Sequence, residues 1–111
     1  MKRILVPVDF SPTSKKASRY AIDIASKSGG TVILCHFFRP MKSPDTGATD
    51  NVREYNQQFE LKTLKRLQRL KKKVLADTSE AVAVSTLVGR MPIVKNILRF
   101  AKKNHIDLIV M

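Results

Sequence analysis

The segment Arg3-Ile4-Leu5-Val6-Pro7-Val8-Asp9-Phe10-Ser11-Pro12 constrains the fold more than any other stretch of this 111-residue chain. Ile4, Leu5, Val6 and Val8 make a near-continuous apolar run, the pattern of a parallel strand covered on both faces rather than an alternating strand with one wet side. Such a strand belongs in the middle of a sheet. Asp9 follows where the strand gives out, and Ser11-Pro12 signals a helix start. The hydroxyl caps free N–H groups, and the missing N–H of proline is harmless at the first helical position. A carboxylate at the carboxyl end of a central strand, beside a helix N-terminus, lies where open α/β sheets bind ligands.

The rest of the chain repeats this alternation. After Pro12, the residues Ala17, Tyr20, Ala21, Ile24 and Ala25 recur at three and four, which gives one covered helix face. Ser28-Gly29-Gly30 follows that helix and precedes a strand, so it reads as a left-handed C-cap and not as a phosphate loop. Thr31 to Phe38 is a second interior strand, β-branched at its start, and strand–helix–strand makes one right-handed βαβ unit. Cys35 and His36 invite a nucleophile or metal reading, but no second cysteine exists and the other histidine, His105, is far along the chain. A packed thiol and a strand-end imidazole are expected.

Arg39 to Asp50 is rich in Pro, Ser, Thr, Asp and Gly and reads as a surface loop, the best candidate for a lid. A long helix is expected from Asp50, its plausible N-cap, to about Ala76, with Val52, Tyr55, Phe59, Leu64, Leu67, Leu70 and Val74 inward. Ala81 to Val88 reads as a third strand suited to a sheet edge. Gly89-Arg90-Met91-Pro92 turns the chain into a helix whose inward residues are Ile93, Val94, Ile97, Leu98 and Ala101. Lys102 and Lys103 suit its negative end, His105 falls in the connection, and Ile106 to Met111 begins a fourth strand.

Charge narrows the function classes. Lys and Arg outnumber Asp and Glu by 21 to 9, for a formal charge of +12. Seven of those cations (Lys62, Lys65, Arg66, Arg69, Lys71, Lys72, Lys73) lie between residues 62 and 73 with no acid among them. A solvated helix face is the expected role, with nucleic-acid contact the lesser alternative, because no aromatic is interleaved to stack bases. No apolar run approaches the roughly 18 residues of a membrane span, and the start is too short for a signal-peptide core. A cytoplasmic protein with no membrane contact is expected.

In this order the residues resemble the universal stress protein family over essentially the whole chain. Ile4-Leu5-Val6-Pro7-Val8-Asp9-Phe10-Ser11 is similar to that family's opening strand and acidic turn. The second strand ending in His36-Phe37, the Gly89-x-x-Pro92 turn and Asp107-Leu108-Ile109-Val110-Met111 match its later landmarks. The resemblance implies an α/β fold with a doubly wound open parallel sheet, Rossmann-like and of the adenine nucleotide alpha hydrolase-like kind. The family's strand order is 3-2-1-4-5, so the order 3-2-1-4 is implied here, with the fifth strand missing.

Many members of that family bind ATP and form homodimers. Carried over by position, Pro7, Val8 and Asp9 match the segment lining the adenosine pocket, Asp9 near adenine and ribose. Phe37 matches the apolar position that packs on the base, and Met111 the last strand residue before the phosphate loop. The chemistry agrees: a carboxylate accepts from a ribose hydroxyl or an adenine amine, and apolar neighbours cover the base.

ATP-binding members continue past this methionine with a glycine-rich phosphate loop, a helix and a fifth strand, and no such loop follows Met111. Residues 1–111 are therefore expected to form a single domain, incomplete at its C-terminus, either shortened or naturally truncated, with its fourth strand an open edge.

The leading functional expectation is a stress-response regulatory or chaperone-like module. It binds adenine nucleotide (ATP) when complete, and weakly or not at all through these residues. The alternative is a non-enzymatic homo-oligomeric scaffold, dimeric or larger, that binds no nucleotide. An enzyme is not expected, since the sequence offers no acid–base pair or metal cluster at usable spacing.

Overall fold

Residues 2–40, 49–78, 82–90 and 93–111 are described by a computed structural model. Four parallel strands, β1 (Arg3–Pro7), β2 (Thr31–Phe38), β3 (Ala83–Arg90) and β4 (Leu108–Ile109), form one sheet in the order β3-β2-β1-β4. Helices α1 (Pro12–Ser28), α2 (Thr49–Ala76) and α3 (Ile93–Lys103) connect them. This is the doubly wound parallel arrangement expected, with β1 inside the sheet and β3 at an edge.

The apolar runs explain the layering. Alternate residues of a strand point to opposite faces. On one face Ile4, Val6, Val8, Val32 and Leu34 pack against Ala17, Ala21, Ile22 and Ala25 of α1 and Leu67, Leu70 and Val74 of α2. On the other, Leu5, Ile33 and Cys35 meet Ile97 of α3, with Phe100, Phe37 and Ile109 packed around them. A strand stretch buried on both faces needs consecutive apolar residues, as residues 4–6 of β1 and 32–35 of β2 have.

Both ends of α1 are as the sequence signals. Ser11 caps the start, its side chain accepting from the Ser14 N–H, and Gly29 ends the helix at φ 71°, a left-handed conformation that glycine adopts without Cβ strain. The inward face differs. Tyr20 is 61% exposed, and Ser14, Ser18 and Ile22 are buried instead. Two serines are tolerated there because their polar groups are satisfied: the Ser18 hydroxyl donates to the Ser14 carbonyl at 2.8 Å.

Similar shifts occur downstream. α2 begins at Thr49, one residue ahead of the expected cap, and Tyr55 is half exposed while Asn56 and Thr63 are buried. Leu98 is 61% exposed, and Phe100 takes the inward place. β3 extends through Gly89 and Arg90, because Gly89 pairs with Phe37 and continues the ladder where a turn was expected. β4 is only two residues long, but its ladder is extended by Asp107 N–H to the Arg3 carbonyl (2.8 Å) and Val110 N–H to the Leu5 carbonyl (3.0 Å). His105 lies in the α3–β4 connection at φ 55°. Most of the candidate lid, the turn residues Met91 and Pro92, and the side chains of Ile93 and Val94 lie outside the described residues. Among the described residues no helix is long and apolar enough to cross a membrane.

Candidate functional site at the carboxyl rim of the sheet

β1 ends at Pro7, and the chain then makes a tight, self-bonded turn into α1. Val8 N–H donates to the Cys35 carbonyl at 2.7 Å, which keeps the turn against β2. Asp9 N–H donates to the Ser14 hydroxyl oxygen (2.9 Å), and that hydroxyl donates to Asp9 Oδ1. Ser11 N–H also donates to Asp9 Oδ1, at 3.0 Å. The bonds from the Ser11 and Ser14 side, which favour the charged form, hold the exposed Asp9 carboxylate down at about 2. A carboxylate so stabilised is a poor general base at neutral pH.

Phe10 absorbs the strain of this turn. Its φ of 64° is rare for a bulky side chain, and the ring packs at the margin of the core, 5.3 Å centroid to centroid from His36. His36 lies 2.6 Å through Nδ1 from the Val8 carbonyl. A carbonyl only accepts, so Nδ1 carries the proton and a neutral ring leaves Nε2 as an acceptor. Beneath it Cys35 is fully buried, and burial pushes its thiol up to about 12, so it holds no reactive thiolate at neutral pH. Among the described residues no group of three His, Cys, Asp or Glu could hold a metal ion.

A cavity of about 320 Å³ opens at this rim. All five residues singled out from the sequence, Pro7, Val8, Asp9, Phe37 and Met111, line it. Three strand ends from β1, β2 and β4 bring them together, as sheet order requires. Ser11, Thr13, Ser14, His36 and Ile97 complete the lining and were not singled out as ligand contacts. The Ser11-x-x-Ser14 spacing at a helix start was a usable signal for two of them. Ile97 carried none, because only tertiary packing brings α3 under the rim.

The arrangement is chemically one-sided. Phe37, Val8, Ile97 and Met111 offer apolar cover, Asp9 a charged acceptor, and three hydroxyls and an imidazole mixed donor and acceptor capacity. Among the described residues, none of the ten that line it is a lysine or arginine. These residues suit an uncharged heteroaromatic or hydroxylated group.

The sequence matches the profile of the universal stress protein family over residues 1–111. No match was found among curated proteins. Among solved structures, universal stress protein UspA from Lactobacillus plantarum is 25% identical with a TM-score of 0.79, the match covering 98% of this chain and 74% of that one. A universal stress protein solved in complex with cAMP is 18% identical with a TM-score of 0.63, over 97% of this chain and 69% of that one. An Arabidopsis thaliana universal stress protein family member with AMP bound is 14% identical with a TM-score of 0.58, over 100% and 77%. These last two are likenesses of fold.

Proposed function

Because the chain belongs to the universal stress protein family, we propose that it is a stress-response regulatory module that takes the adenosine part of an adenine nucleotide into the rim cavity. One observation carries this: Asp9, Phe37 and Met111, from three different strand ends, converge on one cavity of about 320 Å³, within the range of about 300–1,000 Å³ usual for small-molecule sites. The cAMP and AMP found in two structures of the same fold are adenine nucleotides, which adds support.

Phe37, Val8 and Met111 would cover the base. The bonds from Ser11 and Ser14 fall on Asp9 Oδ1, which leaves Oδ2 to accept from a ribose hydroxyl or the adenine amine. The described lining residues hold the base and ribose and bring no cation to the phosphates, so the module is read as one that binds the nucleotide weakly. A buried, unpaired thiol suits a reducing compartment, and the cytoplasm is the compartment proposed.

Calorimetry with adenosine tests the reading. Saturable binding is expected from the native chain, and its loss in Thr13→Trp, which fills the mouth of the cavity from an exposed helix position. No adenosine binding to the native chain, or unchanged binding to that variant at an unchanged melting temperature, overturns it.

A second reading, a homodimeric scaffold, is favoured by β4 lying at a sheet margin and by the exposed Leu98 of α3. Sedimentation at high protein concentration decides it, since a monomer removes the case.

A further inference from the structure

We propose that the hollow between the first turn of α1 and the C-terminal half of α2 is a second binding site, specific for a compact anion bearing two phosphate groups. Its volume is about 210 Å³, and it is lined by Phe10, Lys15, Arg66, Arg69, Leu70 and Lys73. Arg66, Arg69 and Lys73 stand at i, i+3 and i+7 on one face of α2, and Lys15 comes from the neighbouring helix. Four cations thus converge on one concavity whose lining includes no acid among the described residues. None of the four has a carboxylate partner among the described residues, where Arg19 pairs with Asp77 at 3.2 Å. Like charges three and four apart on a helix repel, so the cluster costs stability until an anion neutralises it.

Phe10 makes this more than a charged patch. Its left-handed backbone is held by the Asp9–Ser11–Ser14 bonds and sets the ring under Arg66, whose guanidinium carbon lies 4.0 Å from the ring centroid. Residues kept in such sparsely populated conformations cluster at functional sites. Stacking fixes the guanidinium plane while leaving its in-plane N–H groups free, the geometry that grips phosphate in a fork.

Size and charge set the ligand. The hollow holds about seven waters at roughly 30 Å³ each, below the range of drug-sized pockets. One phosphate group carries about −1.5 to −2 at pH 7, so two of them bring about −3 to −4 against four cations and neutralise most of their charge. The Phe10–His36 pair stands between this hollow and the rim cavity, each ring belonging to one lining, so the two sites are separate.

Inorganic diphosphate titrated into the full chain is the test. One-to-one saturable binding is expected, weakened about tenfold or more by Arg66→Gln and by Arg69→Gln, since each removes a charge-assisted hydrogen bond. Lys62→Gln, on the same helix but outside the hollow, changes it less than about twofold. Saturating adenosine leaves diphosphate affinity unchanged, so this site and the rim cavity succeed or fail independently. Non-saturable binding, or competition by adenosine, overturns the proposal. Equal losses from Lys62→Gln and Arg66→Gln, together with tighter binding of a short DNA duplex than of diphosphate, would assign the face to a polynucleotide and overturn it as well. The arginines are exposed, and matching circular dichroism and melting temperature confirm that the variants fold.

Discussion

Asp9 Oδ1 accepts from Ser11 N–H and from the Ser14 hydroxyl, and these bonds lower its pKa from the usual 3.8 to about 2. The folded value lies below the unfolded one, so between them the unfolded chain binds more protons. The stabilisation is then complete above about pH 4 and is lost as pH falls through about 2. Asp9→Ala should therefore melt below the native chain at pH 7, and the gap should close as the solution is acidified through that window. A pH-independent gap would mean that the bonds do not distinguish the ionised from the protonated carboxyl. Gly89 makes a second test at this scale. It faces Phe37 across the β2–β3 ladder, and a Cβ placed there would come within 2.5 Å of Phe37 Cδ1. Gly89→Ala should cost about 1–3 kcal/mol in denaturant unfolding, as overpacking does, and weaken adenosine binding by displacing the ring that lines the cavity. Asp9 was legible as a site residue because it ends an apolar run beside a helix start, and Phe37 was marked by the family resemblance. The glycine opposite Phe37 was read as a turn, since nothing local marks it as the partner of a ring on another strand.

Helix faces show where periodicity alone loses resolution. On α3 both Ile97 and Leu98 fit an apolar stripe, one residue or about 100° apart, yet Ile97 is buried and Leu98 is 61% exposed. The sheet selects the face centred on Ile97 and Phe100, a choice made by the packing of Leu5, Ile33 and Cys35 and invisible in the helix's own sequence. α1 makes the same point in reverse: Ser14 and Ser18 are buried while Tyr20 is not, because small residues let the helix approach β1 closely, and the Ser18 hydroxyl donates to the Ser14 carbonyl while the Ser14 hydroxyl donates to Asp9 Oδ1. Strand and helix count, in contrast, were readable because continuous apolar runs and capping signals are local, whereas the strand order was implied by the family resemblance. These burials predict a contrast. Leu67→Ala on α2, at a fully buried position, should cost about 2–5 kcal/mol in urea unfolding, and Leu98→Ala no more than about 0.5. Comparable costs would place Leu98 against a partner, as the homodimeric reading requires, and dilution would then reduce its cost.

At the scale of the whole molecule, a formal charge of +12 is carried by a sheet protein with a third of its cations between residues 62 and 73 of one helix. Lys62, Lys65, Arg66, Arg69, Lys72 and Lys73 are all exposed, so their mutual repulsion is felt through solvent and is screened within about 10 Å at 0.1 M salt. Net charge of this size opposes the compact state. The chain should therefore melt at a higher temperature as sodium chloride rises from about 0.01 to 0.1 M, the range over which the screening length falls from about 30 to 10 Å. Lys65→Glu isolates the cause. It removes a cation outside the proposed anion hollow, places an acid four residues before Arg69 and three after Lys62, and should gain about 0.5–1 kcal/mol at low salt from those pairs and the lost repulsion. The gain should fade as salt is added. Diphosphate should stabilise the native chain more at low salt than at high salt, because the same crowding that weakens the free protein is what an anion in the hollow relieves. If sodium chloride leaves the melting temperature flat while diphosphate still raises it, the cations act on their ligand one by one and not through their summed field.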